Sequence, residues 1–140
     1  MKFSFEAQTT LKAEEIWQNY ANVDNWFTWE DDLLAIHLDG EFVTGSLGEM
    51  TLEGMPPMKF ELIEVTENQS FCDETKIPNL GAIRFNHELI GNEAGTIVRH
   101  SVEFISLDVN EESKHLEFIS QVFSDVPASI FALIKASSKA

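Results

Sequence analysis

Apolar and polar positions alternate along much of this chain, which is the pattern of antiparallel strands with one buried face. The clearest alternation runs through residues 83–104, around a glycine-rich turn. Side chains two positions apart share a face of a strand. The predicted inner face of this hairpin carries Phe85, His87, Leu89, Val98, His100, Val102 and Phe104. If Gly91 pairs with Thr96, then His87 and His100 lie side by side on an otherwise apolar surface.

Alternation elsewhere predicts further strands, and helical spacing predicts helices. The strands cover residues 2–8, 34–38, 58–65 and 71–77, with another starting at Glu41 after the hairpin signal Asp39-Gly40. Helices are predicted over 13–20, over a shorter piece at 24–31, and from about Lys114 to Lys135. Pro127 interrupts the last helix, and Asp125 is placed to cap its restart. The fold class is therefore α+β: about six or seven antiparallel strands, two short helices after the first, and a long C-terminal helix over the apolar face.

The composition is that of a globular domain, and it narrows the set of partners. Of 140 residues, 44% are hydrophobic and 11% aromatic, so one domain spanning 1–140 has enough apolar material for a substantial core. The net charge of −15 argues against nucleic acid and anionic lipid surfaces as partners. The single Cys72 excludes an intramolecular disulfide, no apolar run approaches membrane-spanning length, and no signal peptide is evident. We expect a cytoplasmic protein without membrane insertion, and a homodimer is left open.

Four motifs, taken in order, carry a resemblance to a known superfamily. They are Ala13-Glu14-Glu15-Ile16-Trp17 followed by residues 22–26 and Trp29, the hairpin at 38–46, Gly95-Thr96-Ile97-Val98, and residues 125–129 with 133–135. Together they resemble the SRPBCC superfamily, whose helix-grip fold is shared by START lipid-transfer domains, Bet v 1-like proteins and the polyketide cyclase/dehydrase group. The acidic stretch from Asp31 to Ala35 departs from that pattern, at the expected mouth of the cavity.

The resemblance implies a cavity between the curved sheet and the terminal helix, and it implies a small hydrophobic ligand of lipid, polyketide or aromatic type. The predicted lining is Phe60, Leu62, Phe85, His87, Leu89, Val98, His100, Val102, Phe123, Val126 and Ile130, with Trp26 and Trp29 at the rim. His87 and His100 would give the ligand its polar contacts. The alternatives are that both histidines are structural parts of the core, or that the strands face the other way and expose them.

Two other functions fit the same resemblance. One is a polyketide cyclase or dehydratase type of enzyme that uses a cavity histidine as acid or base. The other is a partner-binding regulator, like the co-chaperones of this fold, without a small ligand. Two histidines supply only half of a tetrahedral zinc set, so we expect no metal and no cofactor. Glu64 and Asp73 are predicted to face one another across their hairpin. Two facing carboxyls could form an acid–base dyad, but the position at the end of the strands favours solvated carboxylates instead.

Overall fold

Seven antiparallel strands form one sheet, and the helices pack against its inner face. The structure, a computed structural model, describes residues 1–138. The strands are β1 (Lys2–Thr9), β2 (Leu33–Asp39), β3 (Leu47–Leu52), β4 (Met58–Thr66), β5 (Ser70–Ile77), β6 (Gly81–Asn92) and β7 (Gly95–Ser106). The helices are α1 (Ala13–Ala21), α2 (Leu116–Phe123) and α3 (Val126–Ser137), with 3-10 turns at Val23–Thr28 and Val109–His115. The strand order β1-β7-β6-β5-β4-β3-β2 and the curved sheet confirm the predicted helix-grip architecture.

The pairing of β6 with β7 has the register predicted from the sequence. Gly91 pairs with Thr96, and His87 therefore pairs with His100. Leu89 and Val98 continue the same inner face, and both are buried. The glycine-rich turn fixes this register because it sets which residues start the ladder.

The terminal helix is broken into two. α2 ends at Phe123 and α3 begins at Val126, with Pro127 in the first helical turn, where its missing N–H has no partner to lose. Asp125 occupies the N-cap position, but its side chain makes no capping hydrogen bond. α3 packs against β1, β7 and α1, whereas α2 packs mainly against β7 and has Ile119 as its one fully buried residue. α3 therefore packs more closely against the rest of the domain than α2 does.

One expectation about membranes needs correction. The segment Ser113–Ser137 is long and apolar enough to span a bilayer, although no apolar run of that length was expected. The core helix of a soluble protein meets the same criterion of length and apolar composition. Here Ile119, Ile130 and Leu133 have no exposed surface, because they face the sheet.

The connection between β2 and β3 also differs from the prediction. β3 begins at Leu47 rather than at Glu41, and residues 40–46 form an irregular loop. The loop is held along β4: the Gly45 N–H donates to the Leu62 carbonyl at 2.7 Å, and the Leu62 N–H donates to the Ser46 carbonyl at 2.9 Å. These bonds to β4 replace the tight hairpin that Asp39-Gly40 suggested.

A substitution at Gly95 tests how closely the β6–β7 turn approaches the end of β1. Its φ is +136°, and a Cβ there would collide with the carbonyl oxygen of Thr9 and the backbone of Thr10. We expect Gly95→Ala to lower the free energy of unfolding by about 2 kcal/mol or more, measured by urea denaturation. Gly91→Ala is the control, because a Cβ at Gly91 meets nothing within 4 Å. Equal effects of the two substitutions would contradict this account of the turn.

Candidate functional site

His87 and His100 meet at the centre of the inner face of the sheet. Their ring centroids lie 4.7 Å apart, and the two residues are only 5% and 4% exposed. Strand alternation aims both rings inward, and the register of β6 with β7 brings them together. The prediction that they share one apolar face is confirmed.

Each histidine has a hydrogen-bond partner inside the protein. The hydroxyl of Tyr20 lies 2.6 Å from Nε2 of His100. Nδ1 of His87 donates to the carbonyl oxygen of Phe71 at 3.3 Å, which fixes the proton on that nitrogen. Tyr20 reaches the sheet because Ile16, Trp17 and Tyr20 form the buried stripe of α1. The two histidines and Tyr20 thus form a polar cluster of three residues.

Aromatic rings surround this cluster. Phe71 stacks on His87 with ring centroids 3.9 Å apart and an interplanar angle of 6°. Trp29 lies 5.9 Å from His87 and 5.8 Å from His100, measured between ring centroids. Tyr20 also packs edge-on against Phe71 at 4.9 Å. The space beside the histidines is therefore occupied by side chains of the protein in this state.

Burial keeps both imidazoles neutral. It lowers the pKa of His87 to about 3 and holds the pKa of His100 well below its usual value, with the neighbouring His87 adding to the effect on His100. Burial also raises the pKa of the Tyr20 hydroxyl. Groups that exchange protons in catalysis near neutral pH need a pKa near neutrality. The cluster is built for neutral hydrogen bonding rather than for proton transfer.

Most of the predicted lining residues lie together in one core. Those that are buried there are Trp26, Trp29, Phe60, Leu62, His87, Leu89, Val98, His100, Val102, Val126 and Ile130, while Phe85 and Phe123 are partly buried against it. Trp26 lies inside rather than at a rim, and its indole N–H donates to the Tyr20 carbonyl at 2.8 Å. Whether these side chains contact a ligand stays a prediction.

The prediction that Glu64 and Asp73 face one another is wrong. A bulge in β4 pairs Leu62 with Asp73 and Glu64 with Cys72. The Glu64 carboxylate instead accepts hydrogen bonds from the hydroxyls of Thr66 and Ser70. The extra residue of a bulge separates the two carboxyls and sends them to different places.

Asp73 turns inward, and the sequence analysis did not place it in the site. Phe71, Asp73 and Thr75 share the inner face of β5, and Asp73 and Thr75 are 2% and 5% exposed. Oδ1 of Asp73 and Oγ1 of Thr75 have no hydrogen-bond partner. Burial raises the pKa of Asp73 to about 8, so at neutral pH this carboxyl is mostly protonated. The available signal was that Asp73 and Thr75 are in phase with Phe71 and Ile77.

A second carboxyl with a raised pKa lies at the acidic stretch that departs from the family pattern. Glu30 borders a cavity of about 110 Å³ between the β2 entrance and the start of α3. The cavity is lined by Trp29, Glu30, Asp31, Asp32, Asp125, Ala128, Ser129 and Ala132. Burial first, and then the charges of Asp32, Asp73, Asp125 and Asp31, raise the pKa of Glu30 to about 8. The pKa of Asp32 is raised as well, chiefly by burial.

Other candidates for chemistry do not join this site. Arg84 pairs with Glu74 at 2.8 Å, and Arg99 pairs with Glu6 at 2.9 Å and with Glu88 at 3.7 Å. Burial raises the pKa of Cys72 to about 12, so its thiol is not an activated nucleophile. Within residues 1–138, no group of three or more His, Cys, Asp or Glu side chains is arranged to hold a metal ion.

Solved structures of the same architecture cover nearly the whole chain at low identity. Norcoclaurine synthase from Thalictrum flavum superposes with a TM-score of 0.73 at 13% identity, over 100% of this chain and 87% of that chain. Ara h 8.0201 gives 0.70 at 12%, over 98% and 97%. A protein of unknown function from Staphylococcus aureus gives 0.74 at 11%, over 100% and 96%. No family model matches the chain, and no curated protein matches it in sequence.

These likenesses define the class of structure. The chain has the helix-grip fold, and the resemblance to the SRPBCC superfamily is confirmed at the level of the fold. What this chain shares with the three neighbours is that architecture, so its function has to be argued from its own side chains.

The contact between Tyr20 and His100 can be measured by a double-mutant cycle. Tyr20→Phe leaves the Nε2 atom of a buried histidine without a partner, which costs about 1–3 kcal/mol of unfolding free energy. His100→Leu should remove most of that cost, so the double variant is more stable than the sum of the single effects predicts. Strict additivity in urea denaturation would contradict the hydrogen bond.

The buried Asp73 predicts a stability that falls as pH rises towards 8. Its pKa is about 8 in the folded chain and near 3.8 when exposed, so the folded chain holds more protons and loses stability as pH rises between these values. The lowered pKa of His87 affects the free energy of unfolding only below about pH 6.5, the value at which an exposed histidine gains its proton. Between pH 6.5 and 8, Asp73→Asn should flatten the decline by up to about 1.4 kcal/mol per pH unit.

Glu74→Gln is the matched control for that experiment. Glu74 is the next residue on β5, and its carboxylate, unlike that of Asp73, has a cationic partner, Arg84, at 2.8 Å. Its profile of unfolding free energy against pH should run parallel to that of the unmodified chain. If the Asp73→Asn profile is parallel too, the Asp73 carboxyl is not buried as described.

Proposed function

We propose that the protein binds a small, largely apolar molecule that carries a hydrogen-bonding group, between the sheet and the terminal helix. The observation that supports this most is the pair of buried atoms without partners, Oδ1 of Asp73 and Oγ1 of Thr75. More than nine in ten buried polar groups in proteins are hydrogen-bonded, so two orphans on one strand face point to a partner that is not part of the chain.

The surroundings of these two atoms have the character of a ligand site. Asp73 lies between Leu62 on β4 and Phe85 on β6, and Thr75 lies opposite Ile83. A few polar groups in a mostly apolar wall give a ligand both affinity and orientation. Burial of the apolar body contributes about 25 cal/mol per Å², and the polar pair fixes which end points inward.

Entry requires part of the cover to move. The cavity near Glu30 holds about 110 Å³, while sites for drug-sized ligands hold about 300–1,000 Å³. α2 is the element that moves to admit the ligand, because only one of its residues is fully buried and a break at 124–125 separates it from α3. Displacing α2 from β7 uncovers the part of the inner face of β7 that α2 covers.

The neutral histidines then belong to the floor of this site. Tyr20 and Phe71 orient them, and either ring offers a hydrogen bond to a polar ligand atom once the aromatic neighbours shift. This keeps the predicted binding role of His87 and His100. The proposal also retains one domain over 1–140 and a cytoplasmic location.

A cyclase or dehydratase type of activity is a second candidate, with a different residue at its centre. The lowered pKa values of His87 and His100 disfavour them as acid or base. The Asp73 carboxyl, with a pKa of about 8, is suited to donate a proton to a carbonyl oxygen near neutral pH. An enzyme of this kind would lose turnover in Asp73→Asn while keeping its affinity for substrate.

Matched aromatic probes test the binding proposal. We expect 1-naphthol to bind more tightly than naphthalene, since only the hydroxyl of naphthol satisfies the orphan groups. Thr75→Val keeps the shape of the side chain and removes one partner, so it should cut the preference for naphthol about fivefold. Thr51→Val, the same change on β3, is the control. Probe fluorescence and quenching of the tryptophans report binding, at pH 6 where Asp73 is neutral.

Native mass spectrometry of freshly purified protein complements the probes. A co-purifying small molecule whose occupancy falls in Thr75→Val but not in Thr51→Val would support the proposal. A protein that carries no small molecule and binds neither naphthol nor naphthalene would contradict it. That result would favour the partner-binding alternative.

A further inference from the structure

Two buried O–H groups on the inner face of β5 have no acceptor. Asp73 and Thr75 are 2% and 5% exposed, and within the described residues neither Oδ1 of Asp73 nor Oγ1 of Thr75 has a hydrogen-bond partner. A buried carboxylate without a cationic partner is costly, so the Asp73 carboxyl keeps its proton near neutral pH, in agreement with its pKa of about 8. Each of the two residues therefore brings one hydrogen that needs an acceptor.

The spacing of these residues lets one atom of a ligand meet both hydrogens. Asp73 and Thr75 are two positions apart on one strand, so they share a face and their Cα atoms lie about 7 Å apart. An O–H···O bond spans about 2.5–3.0 Å, so a single acceptor can serve two donor oxygens up to about 5.5 Å apart. The cross-strand neighbours of the pair, Leu62, Ile83 and Phe85, have apolar side chains and supply no acceptor of their own.

We infer that the polar group of the ligand is a neutral carbonyl, whose oxygen accepts hydrogen bonds from the Asp73 carboxyl and the Thr75 hydroxyl. The inference deepens the proposed function and rests on it, because the apolar body of the same ligand occupies the interior described there. A carbonyl oxygen has two lone pairs and no hydrogen, so its capacity matches the two O–H donors. Ketones, aldehydes and esters belong to this class of ligand.

Ligand groups that bring hydrogens of their own fit the pair less well. An alcohol oxygen accepts the same two hydrogen bonds, but its hydrogen then needs a further acceptor, which the side chains of Leu62, Ile83 and Phe85 do not supply. An amine brings at least two such hydrogens. A buried donor without an acceptor costs the free energy of its desolvation, so the pair selects against both groups.

A carboxylate would also accept both hydrogens, but its charge disfavours it. Among residues 1–138, no lysine or arginine is buried, and the lowered pKa values of His87 and His100 keep both imidazoles neutral. The carboxylate of a ligand would therefore be buried without a cation, inside a chain whose net charge is −15. These charges select a neutral carbonyl compound over a fatty acid.

Four naphthalene derivatives of similar shape separate these classes: 2-acetonaphthone, 1-(2-naphthyl)ethanol, 2-ethylnaphthalene and 2-naphthoate. At pH 6 we expect the ketone to bind at least about tenfold more tightly than 2-ethylnaphthalene, because it gains two hydrogen bonds. The alcohol should bind about fivefold more weakly than the ketone, since its own hydrogen is left without an acceptor. The carboxylate should bind most weakly. Quenching of tryptophan fluorescence reports each affinity.

The infrared stretch of the bound carbonyl reports the hydrogen bonds directly. With an isotope-labelled carbonyl in 2-acetonaphthone, the band should lie at a lower frequency than in hexane, because each hydrogen bond weakens the C=O bond. Thr75→Val keeps the shape of the side chain and removes one donor, so it should reverse part of this shift and lower the affinity for the ketone about fivefold. Asp73→Asn supplies an amide N–H as donor and should leave that affinity within about twofold.

Thr51→Val, the same change on β3, is the matched control and should alter neither the band nor the affinity. Without ligand, Thr75→Val should not lower the free energy of unfolding, because it removes a hydroxyl that has no partner. A clear loss of stability in this variant would mean that the protein itself satisfies the hydroxyl, and the inference would be overturned.

The probes distinguish failure of the inference from failure of the proposed function. If the alcohol or 2-naphthoate binds more tightly than the ketone, the carbonyl site is overturned while the proposed function stands. A bound carbonyl band at its hexane frequency, or equal effects of Thr75→Val and Thr51→Val, would also overturn the carbonyl site. If none of the four probes binds, the proposed function fails as well.

Discussion

The pairing of β6 with β7 is the constraint on which the interior depends. A slip of one residue in this register would turn the inward residues of one of the two strands, His87 and Leu89 or His100 and Val98, to the outer face, because side chains alternate between faces. With the observed register, Nε2 of His100 lies on the inner face, 2.6 Å from the hydroxyl of Tyr20 on α1. That contact anchors α1 over the sheet, and the aromatic rings of Trp29 and Phe71 close around it.

The interior that results contains buried polar groups as well as aromatic rings. Desolvation acts in opposite directions on its ionisable groups: it lowers the pKa of His87 and raises those of Asp73 and Glu30. All three groups therefore favour their neutral forms near neutral pH. A site with neutral donors and acceptors discriminates between ligands by hydrogen bonding.

The sequence was sufficient for the fold because its signals there are local. Alternation and a glycine-rich turn identify the hairpin that contains His87 and His100, and Pro127 marks the break between α2 and α3. Non-local effects were missed. The bulge in β4 moves Glu64 away from Asp73, and the loop at 40–46 pairs with β4 instead of closing a tight turn.

The residues of the candidate site also fall into two groups: local patterns in the sequence identify some of them, and only long-range packing brings in the others. The alternation of inward and outward side chains identifies His87 and His100 from the sequence. Their partner Tyr20 is 80 residues away from His100 in the chain, and only the packing of α1 brings its hydroxyl to His100. Asp73 looked like a solvated strand residue, since a carboxyl at an inward position is costly without a partner. That cost makes it the most informative residue of the interior once the structure is known.

The most direct test is an NMR titration of the Asp73 side-chain carboxyl carbon in the ligand-free protein. The account predicts a midpoint near pH 8, because the carboxyl is buried and lacks a partner for Oδ1. A midpoint near 4, the value of an exposed aspartate, would mean that this carboxyl is solvated, and the polar interior proposed for ligand binding would not exist.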